Sequence, residues 1–153
     1  MREALAAAAA HLCATWPLEG CGAVVRAPGG ACHFVAIPNV ARTPEVAFAF
    51  EPRAQLELFR NTAAGAVELV ALVHSHVGAP ADFSEEDRAA ATTVDGRPLH
   101  PGLEHWVLAV YGPPPAVVEA RAFTWRVDGW SERPLVPPPA AGAPSCARPA
   151  NRL

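Results

Sequence analysis

Two histidines two residues apart, His74 and His76, are followed by Ser84 and then Asp87. On an extended strand, residues two apart project from the same face, so both imidazoles can be presented to one point. A carboxylate in the first turn of a following helix can fold back over the strand end and join them. Two imidazole nitrogens and one carboxylate oxygen suit Zn²⁺, with bonds of roughly 2.0–2.2 Å, and three protein ligands leave a fourth position for water, the pattern of a catalytic site. The same residues carry a second reading. Ser84 with an acid three residues on is the capping box of an ordinary helix N-terminus, in which the carboxylate answers backbone N–H groups. A capping Asp87 and a metal-bound Asp87 compete for the same oxygens, and spacing alone leaves both open.

Those residues need a strand, a loop and a helix in the right order. Val67 to His74 is an apolar run on both faces, as expected of a central buried strand, and the histidines fall at its C-terminal end, where α/β sheets open clefts. Gly78 to Phe83 reads as loop, and Ser84 opens a helix to about Thr92 whose first turn holds Glu85, Glu86 and Asp87, favourable against the helix dipole. Upstream, Arg2 to Thr15 is an Ala/Leu-rich helix with Pro17 just beyond it. Cys21 to Val25 and Ala31 to Ile37 form a hairpin around Pro28-Gly29-Gly30, and Ala47 to Phe50 reads as a further strand. Pro52 opens a helix over Arg53 to Ala63, with Leu56, Phe59 and Arg60 at helical spacing. Trp106 to Tyr111 and Val117 to Trp125 are strands joined by Pro113-Pro114-Pro115. The sum is one α/β domain over residues 1–136 with a mixed sheet. From Pro137 the composition turns to Pro, Ala, Gly and Arg, and residues 137–153 read as a disordered tail.

Composition bounds the function. Of 153 residues, 51% are hydrophobic and 18% charged, which is globular, and a net charge of −3 offers nucleic acid no electrostatic footprint. All 12 basic residues are Arg. With no lysine, no side-chain amine of this chain can accept an isopeptide linkage. Cys13, Cys21, Cys32 and Cys146 make no Cys-x-x-Cys pair and no regular framework, so they read as buried or incidental thiols. Cys21 lacks a histidine partner outside the proposed ligands, which argues against a cysteine nucleophile. The Ala-rich start has no leucine-rich apolar segment to make a signal peptide, and no stretch reaches the ~18 apolar residues that span a bilayer. The expectation is a cytoplasmic protein. His11, His33, His100 and His105 are expected to face solvent or bond locally. Glu19 follows Pro17-Leu18 and, on burial statistics alone, reads as an exposed loop residue.

His74-Ser75-His76, seven residues, then Ser84-x-x-Asp87 resembles the His-x-His-x7-Ser-x-x-Asp signature of the JAMM (MPN+) metalloproteases. Pro17-Leu18-Glu19-Gly20-Cys21-Gly22 matches that family's Pro-x-Glu-x-x-Gly opening, and the order of elements agrees from Arg2 to about Leu135, including the closing strands with Trp125 and a final Trp130-Ser131-Glu132. The resemblance implies an MPN (JAB) fold, a curved mixed sheet flanked by two or three helices with zinc at the sheet edge. It implies His74, His76 and Asp87 as ligands, Glu19 as the base for the metal's water, and Ser84 as hydrogen-bond donor to the oxyanion. Two departures bear on loop shape: Val77 and Phe83 stand where many members have Pro, while Pro80 and Ala81 match.

Members of that family cut amide bonds, mostly after the Gly-Gly end of ubiquitin-like proteins. A stand-alone domain resembles the prokaryotic members associated with ubiquitin-fold sulfur carriers, so a carrier of that kind is the expected partner, with no nucleic acid and no membrane. Two rival readings are a non-catalytic MPN scaffold without metal and a zinc peptidase acting on other peptides.

Overall fold

A strand that is apolar on both faces needs cover on both, and the fold is arranged around that need. The computed structural model describes residues 1–127 and 129–136; the segment 137–153, expected to be a disordered tail, lies outside the described residues. These form α1 (Arg2–Thr15), β1 (Cys21–Arg26), β2 (Cys32–Ile37), α2 (Pro52–Ala63), β3 (Glu68–Val77), α3 (Glu85–Ala91), β4 (Glu104–Tyr111), β5 (Ala116–Arg126) and β6 (Gly129–Pro134). The strands make one sheet in the order β2-β1-β3-β4-β5-β6. Only β3 and β4 run parallel, so the sheet is mixed and β3 lies inside it, as an apolar run requires.

α1 covers one face. Its buried Ala4, Leu5, Ala8, Ala9 and Leu12 pack on Val24, Ala71, Val73, Trp106, Leu108 and Val110. Small alanine side chains let the helix lie close to the sheet, and the fully buried Leu12 contributes about 1.5–3 kcal/mol through burial. The opposite face carries two separate clusters. One joins Ala23, Val25 and Ile37 to Leu58 of α2; the other joins Val107, Ala109 and Phe123 to Ala81, Phe83 and Ala91 around α3. The space between these clusters lies over the C-terminal half of β3.

Several elements differ from expectation for identifiable reasons. β3 continues to Val77 because its parallel neighbour pairs with it up to Val110, so both motif histidines stand within the strand. Residues 47–50 form no strand. Phe50 makes a single bridge to Asn39, and the Asn39 side chain accepts from Ala41 N–H and Ala49 N–H and donates to Ala47 O, organising the segment as a loop. In α2 the buried residue is Leu58, while Leu56 is half exposed. Glu51 caps this helix, its carboxylate accepting from Arg53 N–H and Ala54 N–H. β6 extends the sheet beyond the anticipated closing strands, with Trp130 opposite Trp125. Among the described residues, no helix is long and apolar enough to cross a membrane.

Leu58→Ala should cost about 2 kcal/mol or more in chemical denaturation, and Leu56→Ala no more than about 0.5 kcal/mol. Equal losses would place the α2 face wrongly.

Candidate metal centre

β3 brings His74 and His76 to the sheet face opposite α1. His74 lies between Cys21 of β1 and Val107 of β4, and His76 lies opposite Ala109. Asp87 arrives from α3, whose N-cap is Ser84. The cap is complete: Asp87 N–H donates to Ser84 Oγ at 3.0 Å, and Asp87 Oδ2 accepts from Ser84 N–H at 2.9 Å and from the Ser84 hydroxyl at 2.8 Å. Oδ1 takes no part in it and lies 3.2 Å from His74 Nε2, while Oδ2 is also 3.4 Å from His76 Nε2. The capping and metal-facing readings of Asp87, set against each other by the sequence, therefore coexist: Oδ1 is free of the cap and faces His74, while Oδ2 serves both the cap and the approach to His76.

The three residues pass a geometric test for a metal. Bonds of about 2.0–2.2 Å at tetrahedral angles place donor atoms about 3.3–3.6 Å apart. Here the two Nε2 atoms are 3.2 Å apart, close to the 3.2 and 3.4 Å contacts to the carboxylate. His76 Nδ1 is 2.8 Å from Pro80 O, so it must carry the proton, and in the neutral ring Nε2 is then a bare lone pair. A bare nitrogen facing a carboxylate oxygen is a contact between two acceptors. It needs a cation between them, a proton or a metal ion. His74, His76 and Asp87 can hold such an ion.

Glu19 is buried, with 6% of its surface exposed, and not on an open loop. Its backbone is gripped on three sides. Glu19 N–H donates to Pro44 O at 2.7 Å, and Asn39 Nδ2 donates to Glu19 O at 2.8 Å. Next to it, Gly20 N–H donates to the buried Ser75 hydroxyl at 2.8 Å and Gly20 O accepts from Ser75 N–H at 3.0 Å. Gly20 can come this close only without a side chain: a Cβ there would stand 2.7 Å from Leu12 Cδ2. The carboxylate opens into a cavity of about 750 Å³ shared with His74, His76, Ser84 and Asp87. All five residues of the sequence pattern thus meet in one pocket.

Burial and charge set the protonation states. Burial pushes the Glu19 carboxyl up to about 7, with Asp87 adding to the rise and His76 opposing it. Burial lowers the pKa of His74. It would do the same to His76, but hydrogen bonds to Asp87 and the Pro80 carbonyl, with the charges of Asp87 and Glu19, raise it instead. Burial acts to raise Asp87 too, yet its hydrogen bonds with the two histidines hold it well below the usual carboxylate range. Burial and the nearby Glu19 push the Cys21 thiol up to about 12, so a nucleophilic thiolate is absent at neutral pH.

The sequence reading takes Ser75 for a structural residue pointing away from the site, as it proves to be, and misses three others. Ser75, between the ligands, ties Glu19 to β3. Asn39 bonds both Glu19 and the loop; an Asn just after an apolar run is a turn former able to bond backbone two residues on, which is the signal that could have found it. Phe48 from that loop stacks on His74 at 4.3 Å. His105 is not solvent-facing: it sits half-buried between Phe83 and Trp130 on the pocket wall. His11 likewise is half-buried against Phe34.

A family model described as prokaryotic homologs of the JAB domain matches residues 1–127. No curated protein matches the sequence. A solution structure of a protein from Desulfitobacterium hafniense superimposes with a TM-score of 0.61 at 22% identity, covering 90% of each chain. A solution structure of a protein from Salinibacter ruber gives a TM-score of 0.50 at 22% identity over 90% of this chain and 87% of its own. Likeness at this identity speaks for the fold alone.

A pH-dependent stability difference follows from Glu19. An acid whose pKa is raised on folding keeps a proton the unfolded chain has already lost, so between the two values stability falls as pH rises. In metal-free protein, Glu19→Gln should therefore stabilise by on the order of 1–3 kcal/mol at about pH 8 and hardly at all at about pH 4. Equal stabilities at the higher pH would mean that the carboxylate is not desolvated.

Proposed function

Because the chain belongs to the family of prokaryotic homologues of the JAB domain, we propose that it is a zinc-dependent hydrolase that cuts a peptide or isopeptide bond after the Gly-Gly end of a ubiquitin-like or sulfur-carrier protein. The observation that carries this reading is the spacing of His74 Nε2, His76 Nε2 and the Asp87 carboxylate, 3.2–3.4 Å apart, in one pocket with a buried acid that holds no place in the trio. Two neutral imidazoles and one carboxylate are the donor set of a hydrolytic zinc site with an open position.

Zn²⁺ held there supplies a Lewis acid that polarises a carbonyl and lowers the pKa of water to around 7. The chain's own groups do the rest. His76 is fixed in the ligating tautomer by the Pro80 carbonyl. Glu19, with its basicity raised by burial, accepts a proton from water and returns it to the departing amine, which needs a pKa near the working pH. Ser84 keeps accepting from Asp87 N–H and turns its proton from Asp87 Oδ2 toward the carbonyl oxygen as negative charge develops there. Phe48, stacked on His74, and the apolar walls keep bulk water from screening these groups.

Three variants separate binding from chemistry. Wild type should copurify with about one zinc per chain. His76→Ala should lose the metal, with second-sphere effects excluded by the loss exceeding roughly 100-fold in affinity. Glu19→Gln should keep the metal while abolishing cleavage of a Gly-Gly-terminated carrier fusion, and Ser84→Ala should slow cleavage about 100- to 1,000-fold while costing only ~1 kcal/mol of stability from the lost cap. A wild-type protein without metal would point to a non-catalytic scaffold. A zinc-loaded protein that cuts no such fusion, with or without chelator, would remove the substrate but keep the metal.

A further inference from the structure

The pocket is far larger than a Gly-Gly strand requires. Its cavity of about 750 Å³ has walls of Phe48 and Phe50 from the 38–51 loop, Phe59 from α2, Phe83 ahead of α3, and Leu99. Two glycines carry no side chain to fill such a space, so on the hydrolase reading above, which this inference rests on, the aromatic volume serves the amine side of the scissile bond. Apart from the metal-facing trio and the histidines, the ionisable side chains around it are acids. Glu19 and Asp87 lie inside, and the exposed Glu45 and Glu86 stand at the rim. Among the described residues no arginine lines the cavity, although every basic residue of the chain is Arg. His105 is packed between Phe83 and Trp130 on the wall, and the exposed His100 stacks on Phe59 at the edge.

Away from the metal-facing trio, a carboxylate brought past the rim would meet Glu45 and Glu86 and no arginine to receive it, whereas an apolar or amidated segment would gain the aromatic contacts. We propose that the pocket binds the leaving side of the substrate as a bulky apolar segment with no free carboxylate near the cut, so that the enzyme releases a longer peptide or a conjugated protein and not a single amino acid. The reaction is amide hydrolysis: water's hydroxyl adds to the acyl carbon as the C–N bond breaks, and its proton passes through Glu19 to the leaving nitrogen. The aromatic walls select the first residues on that nitrogen; Glu45 and Glu86 reject an acidic terminus.

Direct binding tests the pocket apart from turnover. Metal-free protein, kept so with chelator to prevent carboxylate binding to zinc, is titrated by calorimetry with the dipeptide amide Phe-Leu-NH2, with Phe-Leu bearing its free carboxylate, and with Gly-Gly-NH2. Phe-Leu-NH2 should bind about tenfold or more tightly than Phe-Leu, the gap shrinking as salt is raised, and Gly-Gly-NH2 should bind most weakly. In the Glu45→Arg and Glu86→Arg variants, which alter exposed side chains, the gap should narrow to about threefold or less. Equal binding of amide and acid, tighter binding of Gly-Gly-NH2, an unchanged gap in both variants, or no binding of any of the three would each overturn the proposal. None of these results touches zinc content or cleavage of the Gly-Gly fusion, so failure here is distinguishable from failure of the hydrolase reading.

Discussion

Two hydrogen bonds between Gly20 and Ser75 hold the site together. One runs from Gly20 N–H to the Ser75 hydroxyl and the other from Ser75 N–H to the Gly20 carbonyl. They join segments 55 residues apart in the chain and set Glu19 beside the histidines that flank Ser75. Because successive residues of a strand face opposite ways, a serine between two pocket-facing histidines is the residue able to turn from the pocket and grip the neighbouring chain. Its burial makes the grip firm: a buried N–H without a partner costs about 1–3 kcal/mol. The packing of Gly20 on the end of α1 completes the arrangement, so the helix on one face of the sheet fixes an acid on the other.

The opposite face is built to leave room. α2 and α3 cover the sheet through separate clusters, one around Leu58 and one around Phe83, with the histidines in the gap between. A single continuous cluster would have buried the histidines under apolar side chains. The 38–51 loop closes the gap from the side, organised by one Asn39 side chain that also holds Glu19. Acid, ligand and wall are thereby linked through a short chain of hydrogen bonds and one stacked ring.

Asp87 shows how one short helix serves two purposes. The capping box uses Oδ2, the ion-facing geometry uses Oδ1 toward His74 and the same Oδ2 toward His76, and the Ser84 hydroxyl that caps the helix also lines the pocket. The cap orients the carboxylate before any ion arrives, which lessens the ordering that metal binding would otherwise demand. The acceptor contact between His76 and Asp87 leaves a place that only a cation can fill.

Much of this was legible in the order of residues. The His-x-His pair on an apolar run and the acid after a helix-opening serine are local patterns of strand and helix that leave metal and cap both open; it is the resemblance of the whole pattern, with the Pro-x-Glu-x-x-Gly opening, that implies the five pocket residues. The three helices and five of the six strands follow from such local patterns. The misjudged features all depend on partners distant in sequence. β3 runs on because β4 lies beside it, residues 47–50 bend because Asn39 binds them, Leu56 faces outward because the sheet meets α2 along Leu58, and β6 forms because β5 offers an edge. The local sequence around Glu19 and His105 suggests exposure; what buries them is the meeting of segments that the chain keeps far apart. Local rules and the family pattern thus named the candidate residues, and long-range packing decided the depth, charge and breadth of the pocket in which they meet.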